Sequence, residues 1–118
     1  AAGNWVEIGE GTPFHIIGEA GYGKPILRRA LHFSDTMEHA LKVGFLAFDS
    51  TRISAADVDF PIDAVLYRRG SFQIVHRRFT QRDLHEISDW WQDRLRSGVR
   101  DLPSGGFSEL LAMLPGKP

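Results

Sequence analysis

The chain has 118 residues, of which 42% are hydrophobic and 25% are charged, and its formal net charge is -1. This size and balance are typical of one globular domain with a core. The near-neutral charge gives no overall attraction to nucleic acid or to an anionic membrane. The lack of cysteine excludes a disulfide framework, a thiolate zinc site and a cysteine nucleophile. A chain without cysteine is most common in the cytoplasm, and we expect a cytoplasmic protein. No apolar run approaches the ~20 residues of a membrane span.

The first part of the chain predicts a hairpin and a short helix. Residues 5–8 and 14–17 have strand composition and enclose the turn-forming residues 9–13, so they predict an antiparallel pair. A loop with three glycines follows at residues 18–23. Pro25 then suits the first turn of a helix that ends near Leu31.

The longest predicted element starts near Asp35, which forms a capping-box-like pair with Glu38. Apolar residues then recur at helical spacing, and further apolar neighbours widen the stripe. The residues with helical spacing are Met37, Ala40, Leu41, Gly44, Phe45 and Phe48. The pattern predicts a helix that is buried on more than one side.

A second hairpin and a closing helix are predicted after it. Pro61 suits the first position of a strand that ends near Tyr67, and residues 69–71 turn the chain into a strand over 72–79. Thr80 with Asp83 marks the start of a helix whose apolar face consists of Leu84, Ile87, Trp91 and Leu95. The order strand, strand, helix, helix, strand, strand, helix indicates an α+β fold with antiparallel sheets.

Two further patterns have competing explanations. Residues 18–24 fit part of a phosphate-binding loop, but Pro25 stands where that motif needs a hydroxyl, so a plain glycine-rich connection is favoured. The arginines between Arg68 and Arg100 resemble a nucleic-acid surface. Acidic residues at pairing distance on the same helix favour an ordinary solvated face instead. None of the five histidines has the spacing of a metal site.

The end of the long helix is the remaining candidate site. The last carbonyls of a helix have no internal partners and carry the negative end of its dipole, so they can face a small cation or hydrogen-bond donors. Asp49, Ser50, Thr51 and Ser54 are crowded at this position. For each residue alone, simple helix termination is the competing explanation.

Several stretches together resemble the C-terminal half of a bacterial proteasome-related subunit of the Anbu type. They occur in the order of that family and cover about residues 1–102, whereas the tail at 103–118 lies outside the resemblance. The matching stretches are residues 2–7, 17–19, 22–27, 48–51 and 61–63.

The resemblance implies a four-layer αββα sandwich of the N-terminal nucleophile hydrolase superfamily. In that family the nucleophile is the hydroxyl of an N-terminal threonine, whose own amine acts as the base. Ala1 has no hydroxyl, so we expect the threonine to lie in a missing N-terminal half and this chain alone to be inactive. The tail is expected to be weakly docked or mobile.

The resemblance also assigns supporting roles. Gly18 and Glu19 match a loop beside the nucleophile, and Asp49 matches an aspartate that helps to order the threonine. Ser54 matches a hydroxyl residue one turn later. The backbone carbonyls of Phe48, Thr51 and Ser54 resemble a helix end that binds a structural cation. No other cofactor is expected.

The resemblance thus implies a fragment of a proteasome-type threonine peptidase that cuts peptide substrates and assembles with identical subunits and with its missing half. Neither nucleic acid nor a membrane is an expected partner. The alternative is a non-catalytic module that binds nucleic acid or protein through the arginine-rich hairpin and closing helix. A small nucleotide-binding domain is a third interpretation.

Overall fold

Four helices and one β-hairpin make up the part of the chain that the structure describes. The computed structural model describes residues 9, 13–15, 21–55 and 57–116. The predicted first hairpin lies almost wholly outside these residues, and residues 13–15 have irregular backbone. The elements are, in chain order, α1 (Lys24–Ala30), α2 (Met37–Ser54), β1 (Ile62–Tyr67), β2 (Ile74–Phe79), α3 (Gln81–Asp101) and α4 (Phe107–Ala112).

These elements confirm an α+β fold with antiparallel strands. The chain divides into two compact units, Ala1–Leu84 and His85–Pro118. No helix among the described residues is long and apolar enough to cross a membrane.

Helix α2 starts one residue later than the sequence pattern predicted. Its N-cap is Thr36, whose Oγ1 accepts a hydrogen bond from the backbone N–H of His39 at 3.1 Å. Asp35 caps the preceding turn instead, because its Oδ2 accepts from the backbone N–H of His32 at 2.6 Å. The prediction of Asp35 as the cap is therefore wrong. Thr and Asp are both good N-cap residues, and the geometry of the entering turn decides between them.

Helix α2 is buried on two sides. Its buried residues are Val43, Ala47, Asp49 and Thr51. Met37 and Leu41, which the sequence pattern placed in the core, are 38% and 41% exposed. The predicted burial on more than one side is nevertheless confirmed, because Val43, Ala47 and Thr51 lie on one side of the helix and Asp49 lies on nearly the opposite side. Helix α1 packs against α2 and, with only seven residues, covers a limited part of its surface.

The contact between α1 and α2 depends on Gly23, the N-cap of α1. A Cβ atom at position 23 would lie 3.0 Å from the carbonyl oxygen of Ala47 and 3.2 Å from both the Ala47 Cβ and the Thr51 Oγ1. Thr51 Oγ1 also donates to the Ala47 carbonyl at 2.9 Å. The backbone of α1 can therefore approach α2 closely because residue 23 has no side chain.

The β-hairpin pairs Ile62 with Phe79 at its open end and Tyr67 with Ile74 at its turn. The turn contains Gly70 with φ 79° and Phe72 with φ 54°, so Phe72 is in the left-handed region and not in a strand. Strand β2 therefore begins at Ile74, two residues later than the pattern predicted. The left-handed conformation is unfavourable for phenylalanine, and Phe72 adopts it as part of this turn.

One face of the hairpin carries an ionic cluster. Arg78 Nε and Nη2 donate to Asp63 Oδ1 and Oδ2 at 3.0 and 3.1 Å, and His76 Nε2 lies 2.9 Å from Asp63 Oδ1. On the other face, the guanidinium of Arg77 lies 4.5 Å from the ring centroid of Phe79. All three basic residues of β2 thus have partners within the hairpin itself.

The start of α3 confirms the predicted capping box. The backbone N–H and Oγ1 of Thr80 donate to Asp83 Oδ2 at 2.8 and 3.1 Å, and the backbone N–H of Asp83 lies 3.4 Å from Thr80 Oγ1. These hydrogen bonds lower the pKa of Asp83. The one from the Thr80 backbone N–H has the larger effect, and the one from the Thr80 hydroxyl follows. Leu84 in the first turn is buried, whereas Ile87 and Leu95 of the predicted apolar face are each 46% exposed.

The second unit contains the rest of α3 and the short helix α4. Gly105, with φ 57°, lies in the turn between them, and Ser104 Oγ is 2.7 Å from Ser108 Oγ. The predicted tail thus includes one short helix. Its large apolar side chains are exposed, and they are Phe107, Leu110, Leu111, Met113 and Leu114.

We expect Gly23→Ala to weaken the packing of α1 on α2. The new methyl group would press on the backbone of Ala47, and overpacking of this kind costs about 1–3 kcal/mol. Gly44→Ala is the matched control. Gly44 lies inside α2 with open space around its Cβ position, so alanine there should stabilise the helix by about 0.5–1 kcal/mol. Urea unfolding of the three chains measures both effects, and equal shifts for the two variants would contradict the close approach at Gly23.

We expect the hairpin cluster to titrate in strong acid. The hydrogen bond from Arg78, followed by that from His76, lowers the pKa of Asp63 from 3.8 to about 2. Because the folded pKa lies below the unfolded one, this carboxylate stabilises the fold above pH ~4, and the contribution is lost as the pH falls through about 2.

Carbon-13 NMR of the Asp63 carboxyl group measures this titration directly. Arg78→Gln should return the midpoint towards 3.8, whereas Arg68→Gln, at an exposed arginine just beyond β1, should leave it unchanged. A midpoint near 3.8 in the unaltered chain would contradict the cluster.

Candidate functional site

The carboxyl end of α2 contains both of the buried polar side chains found among the described residues. Asp49 is 3% exposed and Thr51 is 7% exposed. Thr51 satisfies its hydroxyl within the helix, through the carbonyl of Ala47. Asp49 is different, because a carboxylate is costly to bury unless it is paired or hydrogen-bonded.

Arg52 is a partner of Asp49. Its Nη2 donates to Asp49 Oδ1 at 3.0 Å, one turn further along the helix. The arginine side chain is 21% exposed and the aspartate side chain 4% exposed, so water screens this ion pair only weakly. Asp49 has a further interaction besides this one. A cation near the C-terminus of a helix also interacts favourably with the helix dipole.

Phe60 contacts the guanidinium of Arg52, and Phe48 packs against Phe60. The guanidinium carbon of Arg52 lies 5.4 Å from the ring centroid of Phe60, within the range of a cation–π contact. Phe60 in turn meets Phe48 edge to face, with ring centroids 5.2 Å apart and planes at 77°. Phe60 immediately precedes the cis peptide bond to Pro61 and strand β1. Arg52 therefore joins the end of α2 to the start of the hairpin.

One donor of Arg52 has no acceptor among the described residues. Its Nε is buried and makes no hydrogen bond there. An unpaired buried donor costs about 1–3 kcal/mol, so the guanidinium gains if one further acceptor reaches it.

The structure separates some of the predicted site residues. Asp49 is buried, whereas Ser54 at the last position of α2 is exposed. Five residues apart on a helix, they do not share a face. Gly18 and Glu19 lie outside the described residues. The supporting roles of these four residues stay predictions.

The predicted cation site consists of the carbonyls of Phe48, Thr51 and Ser54. The carbonyl of Thr51 accepts a hydrogen bond from the backbone N–H of Ala55 at 2.7 Å, so it would have to share its oxygen with a cation. Within residues 21–55 and 57–116, no group of three or more His, Asp or Glu side chains can hold a metal ion. The carbonyl site thus stays a prediction as well.

Sequence reasoning missed Arg52 and Phe60. The spacing of Asp49 and Arg52, three residues apart on a predicted helix, was the available signal. The contact with Phe60 depends on the path of residues 55–60 and has no periodic signature.

Comparisons with known proteins agree with this architecture. No protein-family model matches the chain, and no curated protein matches it either. Solved structures do match. Anbu from Hyphomicrobium sp. strain MC1 is 38% identical over 86% of this chain, with a TM-score of 0.81. Anbu (ancestral beta-subunit) from Yersinia bercovieri is 33% identical over 86% of this chain, with a TM-score of 0.80.

A third structure, the helical assembly of the Anbu complex from Pseudomonas aeruginosa, is 34% identical over 98% of this chain, with a TM-score of 0.71. The chain spans less than half the length of each of these proteins, namely 45%, 44% and 44% of their chains.

The fold and these matches relate the chain to part of a proteasome-related subunit. The matched subunits are of the Anbu type, and the resemblance seen in the sequence is confirmed.

We expect Asp49→Asn to destabilise the chain. The amide keeps the shape of the carboxylate but leaves the guanidinium of Arg52 without its counter-charge, at a cost of about 1–3 kcal/mol. Asp57→Asn makes the same change at an exposed position and should alter the free energy of unfolding by less than about 0.5 kcal/mol. Urea unfolding gives both values. Equal effects at the two positions would show that the pair at Asp49 does not stabilise the fold.

Proposed function

We propose that this chain forms the C-terminal half of a proteasome-type threonine peptidase subunit. The nucleophilic threonine and its free amine would belong to the other half, and the chain would hydrolyse peptide bonds only together with that half. The observation that carries the proposal is the match to Anbu, at 38% identity and a TM-score of 0.81 over 86% of this chain.

The incomplete coverage of the relatives supports the division into halves. The chain accounts for 45% of the matched Anbu chain, so more than half of such a subunit has no counterpart here. The two-stranded hairpin and α2 would be parts of a four-layer αββα sandwich that the other half completes. Residues 1–102 would form this domain, and residues 103–118 a tail beyond it.

Asp49 is the residue of this half that suits a supporting role best. Its carboxylate is buried and held by Arg52 at the end of a long helix. A carboxylate fixed in this way can orient a threonine hydroxyl or amine by accepting a hydrogen bond. Gly18, Glu19 and Ser54 would add further hydrogen bonds. The carbonyls of Phe48, Thr51 and Ser54 would bind a structural cation.

The proposed partners are identical subunits and peptides, in the cytoplasm. The Anbu complex from Pseudomonas aeruginosa forms a helical assembly, which supports self-association in this chain as well. The contacts of the hairpin arginines argue against a function in nucleic-acid binding. Arg78 is paired with Asp63, and Arg77 is stacked on Phe79.

Reconstitution tests the proposed function. The chain is co-expressed with the part of the Hyphomicrobium Anbu subunit that it does not match, and hydrolysis of a set of fluorogenic peptides is measured. We expect turnover only by the mixture, and loss of turnover when the N-terminal threonine of the added part is replaced by alanine. Turnover by the chain alone, or an assembled mixture that cuts none of the peptides, would contradict the proposal.

In the same assay, Asp49→Asn should lower kcat about 10–100-fold, because a misoriented reacting group costs rate even when the peptide still binds. Asp57→Asn is again the matched control and should leave kcat unchanged. If Asp49→Asn leaves kcat unchanged, Asp49 has no role in the catalytic site.

A further inference from the structure

The side chain of Arg52 contacts groups from two parts of the fold. It donates to Asp49 at 3.0 Å, lies against the ring of Phe60 at 5.4 Å, and keeps its Nε buried. These contacts fix the plane of the guanidinium. An arginine that served only to balance charge would not need a fixed plane, since charge alone acts in all directions.

The position of Asp49 makes a fixed partner necessary. The carboxylate is almost completely buried, and a buried anion without a partner is costly. The nearby guanidinium of Arg52 offsets part of this cost. The direction in which Asp49 Oδ1 points is in turn constrained by the donor at Arg52 Nη2.

We infer that Arg52 is a positioning residue, which fixes the carboxylate of Asp49 towards the catalytic threonine of the complete subunit. This inference rests on the proposed function. Phe60 holds the guanidinium, Arg52 holds the carboxylate, and the carboxylate orients the reacting group. Arg52 does not touch the substrate, so its effect on the reaction passes through Asp49.

A double-mutant cycle in the reconstituted enzyme tests this order of action. Arg52→Met keeps the unbranched stem of the side chain and removes its donors. If Arg52 acts through Asp49, Arg52→Met should lower kcat about 10-fold or more with KM unchanged, and it should have no further effect in an Asp49→Asn background. Arg28→Met, at an exposed arginine of α1, is the control and should leave both constants unchanged.

Arg52→Lys distinguishes positioning from charge. Lysine keeps the positive charge of arginine but lacks its planar fork. Compared with Arg52→Met, Arg52→Lys should therefore recover more of the lost free energy of unfolding than of the lost kcat. Full recovery of kcat by lysine would overturn the inference, since charge alone would then suffice. Additive losses of kcat in the double mutant would overturn it too.

A second measurement separates failure of this inference from failure of the proposed function. Carbon-13 NMR of the Asp49 carboxyl group in the chain itself needs no catalysis. Arg52→Met should shift this resonance, whereas Arg28→Met should not. If the Asp49 resonance shifts but the reconstituted subunit hydrolyses no peptide, the contact between Arg52 and Asp49 is supported and the proposed peptidase activity is refuted. An unchanged resonance would refute the positioning contact, whether or not the reconstituted subunit is active.

Discussion

The burial of a carboxylate at the end of a long helix is the constraint on which the rest of this structure depends. Asp49 has lost almost all contact with water, and the guanidinium of Arg52 lies 3.0 Å away. Arg52 in turn rests on Phe60, at the entrance to the hairpin. The contact of Arg52 with Phe60 thus links the longest element of the first unit to the segment that leads into the sheet. Burying an ion pair costs free energy of desolvation, so stability alone does not explain this one. A functional site that needs the carboxylate explains it better.

Local signals predicted several elements well. Pro25 fixed the start of α1, and Thr80 with Asp83 marked the start of α3. These signals depend on a few neighbouring residues and on hydrogen bonds within one turn, so tertiary structure changes them little. The resemblance to Anbu-type subunits was also visible in the sequence, because motifs that are weak individually occurred in the family order.

Other features could not be predicted, for physical reasons. The apolar pattern of α2 shows which residues can be buried, but not which neighbour covers them, and so Met37 and Leu41 are more exposed than expected. Thr36 and Asp35 are both suitable caps, and only the entering turn selects one of them. The left-handed conformation of Phe72 runs against the preference of its residue type. The contact of Arg52 with Phe60 joins α2 to a residue outside any helix or strand, so no periodic pattern reveals it.

The proposed function places the buried carboxylate of Asp49 beside a threonine from the other half of the subunit. A crystal structure of the reconstituted subunit measures the distance between them directly. The expected result is a distance from the Asp49 carboxylate to the threonine hydroxyl or amine within hydrogen-bond reach, about 2.6–3.2 Å or through one water molecule. A threonine separated from Asp49 by a layer of packed side chains would contradict it.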